Sequence, residues 1–155
     1  MTKDEVIKMI SNEESPLKKQ KLQDLLDKME FFEKEEKPIV NDLRSIGIAV
    51  ESVWDLVNNH QHPHLKNNFV GPYEIAYPIL LKHLDYDYHL RVKEGIIRAL
   101  TEKNAANVAK DKILELFYSE TDKNLKWVLA NCLKTLMTWK QREKHPDIKA
   151  ALKGI

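Results

Sequence analysis

The sequence predicts an all-α chain of about seven to eight helices stacked as antiparallel pairs, and three observations carry that expectation. The stretches Asp87–Leu100 and Thr121–Leu133 correspond at a fixed offset: Tyr88 falls on Thr121, Lys93 on Lys126 and Leu100 on Leu133, 33 residues apart. A period in this range marks helical repeat arrays, in which each helix pair buries its apolar face only against the next. Apolar residues also recur at helical spacing along most of the chain. Finally, glycine is scarce, at 4 of 155 residues, charged residues make up 32%, and no apolar run alternates long enough to form a strand.

The elements follow in order. Thr2 is placed to cap a short first helix, with Asp4 and Glu5 in its first turn and Val6, Met9 and Ile10 on one face. Ser15 and Pro16 open a second helix whose apolar stripe is Leu22, Leu25, Leu26, Met29 and Phe32. The charged run Glu33–Lys37 before Pro38 reads as a solvated helix end. A third helix is expected from about Ile39 to Asn58, with the stripe Leu43, Ile46, Val50, Val53, Trp54 and Val57. Then comes a long aperiodic connection, Asn58–Pro72, rich in Asn, His and Pro. The fourth helix starts near Pro72 or Ala76 and ends at Leu84, with Pro78 held to its first turn because a mid-helix proline removes a backbone bond. Helices five, six and seven are expected over His89–Lys103, Ala105–Tyr118 and Asn124–Trp139, with Asn104 and Asp122 as caps of the last two. Pro146 opens a final helix that stops at Gly154.

The string Ala76–Leu84, the Asp-containing turn after it, Val92–Lys93 and Ala99–Leu100 resembles a HEAT repeat. A second unit, Lys110–Leu133, matches less fully through Ile113, Leu114, Leu116, Phe117, Asp122 and Leu125–Lys126. Lysine stands at Lys93 and Lys126 where the family carries arginine, which weakens the usual Asp–Arg ladder between repeats. The resemblance covers roughly half of the chain, and it implies a short, right-handed α-solenoid in one domain. Residues 1–37 would be N-terminal helices, 38–72 a helix and the His-rich loop, 73–140 the two clearest repeats and 141–155 a capping helix. The strings Arg98–Lys103 and Leu125–Leu133 are also similar to those of small bacterial HEAT-like proteins.

The repeat register separates faces. On helix five the buried stripe is Val92, Ile96, Ala99 and Leu100, which leaves Arg91, Glu94, Arg98 and Thr101 opposite. Adding 33 to the outer set gives Asn124, Trp127, Asn131 and Lys134 on helix seven, opposite that helix's own stripe of Leu125, Leu129, Cys132 and Leu136. In HEAT-like solenoids second helices line the concave surface, so the resemblance implies that Arg91, Glu94, Arg98, Trp127, Asn131 and Lys134 share one partner-binding face. An aromatic among charged and amide groups suits an interaction hot spot; packing of Trp127 onto a neighbouring helix is the structural alternative. The implied function is non-catalytic protein binding in the bacterial cytoplasm, with a toxin-capping immunity-type inhibitor as its specific form. The alternative is a HEAT-like alkylpurine DNA glycosylase. That family places an Asp one turn after a Trp on the concave face, and Asn131, one turn after Trp127, carries no carboxylate to stabilise a cationic transition state.

Other residues add little chemistry. Lys+Arg number 25 against 24 Asp+Glu, a net charge of +1, which gives no electrostatic case for nucleic acid. His60, His62 and His64, with His83 and His89 further on, could ligate zinc, but no carboxylate or cysteine nearby completes a set, so no metal and no cofactor are expected. Asp85–Tyr88 offers two carboxylates and two phenols in a turn, where aspartates ordinarily cap the next helix. The one cysteine, Cys132, falls on an apolar face and reads as core. Trp54 reads as core and Trp139 as packing on the last helix. No phosphate loop, H-E-x-x-H or G-x-S-x-G motif occurs. No apolar run is long enough for a signal peptide or a membrane span.

Overall fold

Helix boundaries are set largely by the capping chemistry. In a computed structural model, which describes residues 1–58 and 71–154, Thr2 and Glu5 form a reciprocal capping box at the start of α1 (Lys3–Asn12). The Ser15 side chain caps α2 (Pro16–Glu35), with Pro16 at its first position. The chain continues through α3 (Lys37–Ser45), α4 (Trp54–Val57), α5 (Tyr77–His83), α6 (Leu90–Ala99), α7 (Ala106–Ser119), α8 (Lys123–Leu136), α9 (Trp139–Glu143) and α10 (Pro146–Leu152). Short 3-10 turns, Glu74–Ala76 and Lys103–Ala105, precede α5 and α7. The described residues are all-helical, with no strand, and no helix among them is long and apolar enough to cross a membrane.

Two rows of helices result. α3, α5 and α7 pack side by side in one row, and α4, α6 and α8 in the other. The rows close on each other through α5 with α6 and α7 with α8, and α10 packs on α8. The core runs between them, from Ile39 and Leu43 through Leu80, Ile96, Leu100, Ile113, Phe117, Leu129 and Leu133 to Ile148. The α1–α2 hairpin contributes little: α1 buries Val6 and α2 buries Leu26, while Met9 and Leu25 of the expected stripes are exposed.

Several boundaries differ from the sequence expectation. The helix expected over 39–58 breaks into α3 and α4. Gly47, at φ +90°, terminates α3 in a Schellman arrangement: its N–H donates to the Arg44 carbonyl (3.0 Å) and the Ile48 N–H to that of Leu43 (3.0 Å). Ile46, expected in the buried stripe, is consequently exposed. The new start at α4 is organised by Glu36, whose buried carboxylate accepts from Ser52 Oγ (2.9 Å) and the Val53 N–H (3.0 Å). Helix five ends at Ala99, short of Lys103, and helix seven at Leu136, because Thr138 and Gln141 form a capping box that begins α9 at Trp139. Trp139 is thereby 67% exposed and does not pack away.

Asp122 caps α8 as expected, but Asn104 caps nothing: its side chain accepts from Tyr77 Oη (2.6 Å) and donates to Glu74 (2.7 Å). Nor do the turn aspartates cap α6. His89 does so, its Nδ1 accepting from the Arg91 N–H (3.0 Å), and Asp85 pairs with Lys112.

Candidate partner-binding face

The expected division of faces holds along both helices of the repeat. Val92, Ile96, Ala99 and Leu100 on α6, and Leu125, Leu129, Cys132 and Leu136 on α8, are all at most 4% exposed. None of Arg91, Glu94, Arg98, Thr101, Asn124, Trp127, Asn131 and Lys134 is buried. Burial among these apolar groups pushes the Cys132 thiol up to about 12, which leaves it un-ionised and unreactive near neutral pH.

Glu94 is the joint of this face. Its Oε2 accepts from Arg98 Nε one turn on (3.2 Å), and its Oε1 accepts from Asn124 Nδ2 of α8 (3.0 Å). The pair is partly shielded, with the side chains 19% and 33% exposed. A shallow cleft of about 220 Å³ opens beside it, lined by Leu90, Arg91, Glu94, Asp122, Asn124 and Leu125. Arg91 and Glu94 therefore share the cleft at the start of α6, while Arg98 stands one turn beyond Glu94 near the end of that helix. Trp127, Asn131 and Lys134 lie beyond the cleft lining, further along α8. The Trp127 ring is 38% exposed and so is not folded away into the core.

Arg91 also faces the other way. Its guanidinium carbon lies 4.7 Å from the ring centroid of Trp54, a cation–π contact that fixes the long side chain. Trp54 in turn rests on Gly95, where an added Cβ would come within 2.8 Å of both Trp54 Nε1 and Val53 Cγ1. Trp54 is thus half-buried, as the wall of a surface feature. That role was not readable from its place on an apolar stripe, because the glycine that receives it lies in a different helix.

A second cluster lies on the other row. His83, fully buried, has Nε2 at 2.6 Å from Asp42 Oδ2 and Nδ1 at 2.7 Å from Tyr88 Oη. The carboxylate can only accept and the phenol can donate, so Nε2 carries the proton and Nδ1 is the acceptor. This resembles a catalytic relay in its connectivity, but Tyr88 is buried and burial drives its phenol above its ordinary pKa, so no nucleophile is presented. The contact with His83 holds the Asp42 carboxyl below its ordinary value.

His60, His62 and His64 lie outside the described residues. Among those described, no group of three or more His, Cys, Asp or Glu side chains is placed to hold a metal ion. Comparison with protein-family models, curated proteins and solved structures returned no match.

Proposed function

We propose that the chain is a non-catalytic protein-binding module, built as a short right-handed HEAT-like solenoid, that holds its partner on the face shared by α6 and α8. The observation that carries this reading is the outward Trp127 on the helix that Glu94 ties to α6 through Asn124. A large exposed aromatic on a packed helix needs little ordering when it meets a partner, so less binding energy is lost. The two side-by-side rows of helices support the solenoid, since each row repeats one neighbour relationship. An immunity-type inhibitor that covers a toxin is the specific form proposed. Asn131 in place of a carboxylate sets the glycosylase alternative behind it.

Capture from an extract of the source cell, read by mass spectrometry, tests this. The wild-type chain retains a defined protein. Trp127→Ala weakens that capture by at least about tenfold, the loss of a modest hot spot, with an unchanged melting curve. Undiminished capture by Trp127→Ala, or cooperative unfolding at a much lower temperature, overturns the reading.

A further inference from the structure

A larger groove of about 460 Å³ lies on the far side of Arg91, between α2 and the α4–α6 pair. Leu25, Lys28, Met29 and Phe32 form one wall, spaced so that they share a single face of α2. Trp54 and Val92 supply the opposite apolar wall, and Glu36 and Ser52 close one end. The volume falls within the range of small-molecule sites, and the lining matches their usual make-up, an apolar body with a few convergent polar groups.

The charges on this groove are of two kinds. The Glu36 carboxylate is already engaged: Oε1 accepts from Ser52 Oγ and the Val53 N–H, and Oε2 accepts from Ser52 Oγ (3.0 Å). It is occupied in holding the start of α4. Arg91 is stacked on Trp54, and its guanidinium makes no hydrogen bond or ion pair among the described residues; Lys28 makes none either. The groups with hydrogen-bond donors to spare are therefore both cations, and one of them is a planar fork already oriented by an aromatic ring. Such a fork recognises a carboxylate with two parallel hydrogen bonds.

We propose that this groove binds a small amphipathic organic anion, an aliphatic or aromatic carboxylate. Its head group lies on Arg91 with Lys28 nearby, and its apolar body lies along Leu25, Met29, Phe32, Trp54 and Val92. The site shares Arg91 with the α6–α8 face but requires no protein partner, so it stands or falls separately from the protein-binding reading.

Decanoate is a suitable probe and decyltrimethylammonium, with the same tail and the opposite charge, its control. Titration into 15N-labelled protein is followed by NMR, with the indole N–H of Trp54, which has no hydrogen-bond partner among the described residues, as the local reporter. Decanoate is expected to shift the Trp54 indole and the Met29, Phe32 and Arg91 amides saturably at one equivalent per chain. The cationic probe binds at least about tenfold more weakly, as does decanoate to Arg91→Gln, in line with the loss of one charged hydrogen-bonded contact. Leu25→Asp weakens decanoate by a similar factor, because it replaces apolar wall with a like charge. Lys28→Gln, at an exposed position on α2, gives a smaller loss and keeps the test open should Arg91→Gln fold poorly. Equal affinity for both probes overturns the proposal. So do shifts spread over the exposed apolar residues Ile7, Leu17 and Trp139, which mark surface adsorption, or an absence of saturable binding below the micellar range.

Discussion

Asp42 and His83 illustrate how one long-range pair ties α3 to α5 at the scale of single residues. A fully buried imidazole needs both ring nitrogens satisfied, and here α3 supplies the acceptor and the turn after α5 the donor. Because His83 depresses the Asp42 pKa, the carboxylate contributes stability in full above the ordinary carboxylate range. That contribution is lost as pH falls through the depressed value. The Asp42 side chain is 40% exposed, so solvent screens the pair and keeps the contribution modest. Asp42→Asn is expected to cost about 1 kcal/mol at pH 7, because the amide oxygen still accepts but without charge. Urea unfolding at several pH values checks it: the gap between wild type and variant narrows toward pH 3. A gap that stays constant with pH would show that the charge of Asp42 does not act through His83. None of this was legible beforehand, since the partners stand 41 residues apart and each alone looks like an ordinary polar residue.

At the scale of elements, α3 ends where a left-handed residue is required. Among the described residues, nothing beyond its own chain neighbours lies within 4 Å of a Cβ built on Gly47, so a substitution there meets a conformational cost rather than a steric one. Gly47→Ala is expected to destabilise by about 1–2 kcal/mol, and Gly47→Asn by clearly less, because Asn tolerates positive φ better. Chemical denaturation of the two variants decides it, and equal costs would remove the backbone explanation. The break was readable in principle from a glycine followed by an apolar residue. It was masked because Leu43, Val50, Val53 and Trp54 keep helical spacing across the irregular stretch, where burial of Ile48 and Val50 follows the turn instead. The α6 and α8 faces, by contrast, were legible almost residue by residue. The 33-residue correspondence superimposes two solutions to the same burial problem, and a face common to both is fixed more firmly than one helix alone can fix it. The long-range receptor for Trp54, Gly95, has no such second copy: its position in α8 is taken by Val128.

Across the whole molecule, burial is uneven in a way that sets local stability. α8 buries Leu125, Val128, Leu129, Ala130, Cys132, Leu133 and Leu136 and touches α6, α7 and α10. α1 buries Val6 and packs chiefly on α2. Hydrogen exchange is therefore expected to be slowest in α8 and the neighbouring part of α6, with α1 amides exchanging on the order of a hundredfold faster. Uniform protection along the chain would mean that the α1–α2 hairpin is held by contacts other than these. The general plan, helices in pairs with one continuous core, followed from period and composition. Which helix is loosely attached did not, because Ile7, Leu17 and Phe31 look as apolar in sequence as the residues that end up inside. The burial of Cys132 has a practical side as well. The chain's sole thiol is buried in α8 and held in its protonated form, so the wild-type protein already serves as a blank for thiol chemistry. A cysteine introduced on the outer surface would take a fluorophore or spin label alone, and slow labelling of the native thiol would time each excursion in which α8 comes open.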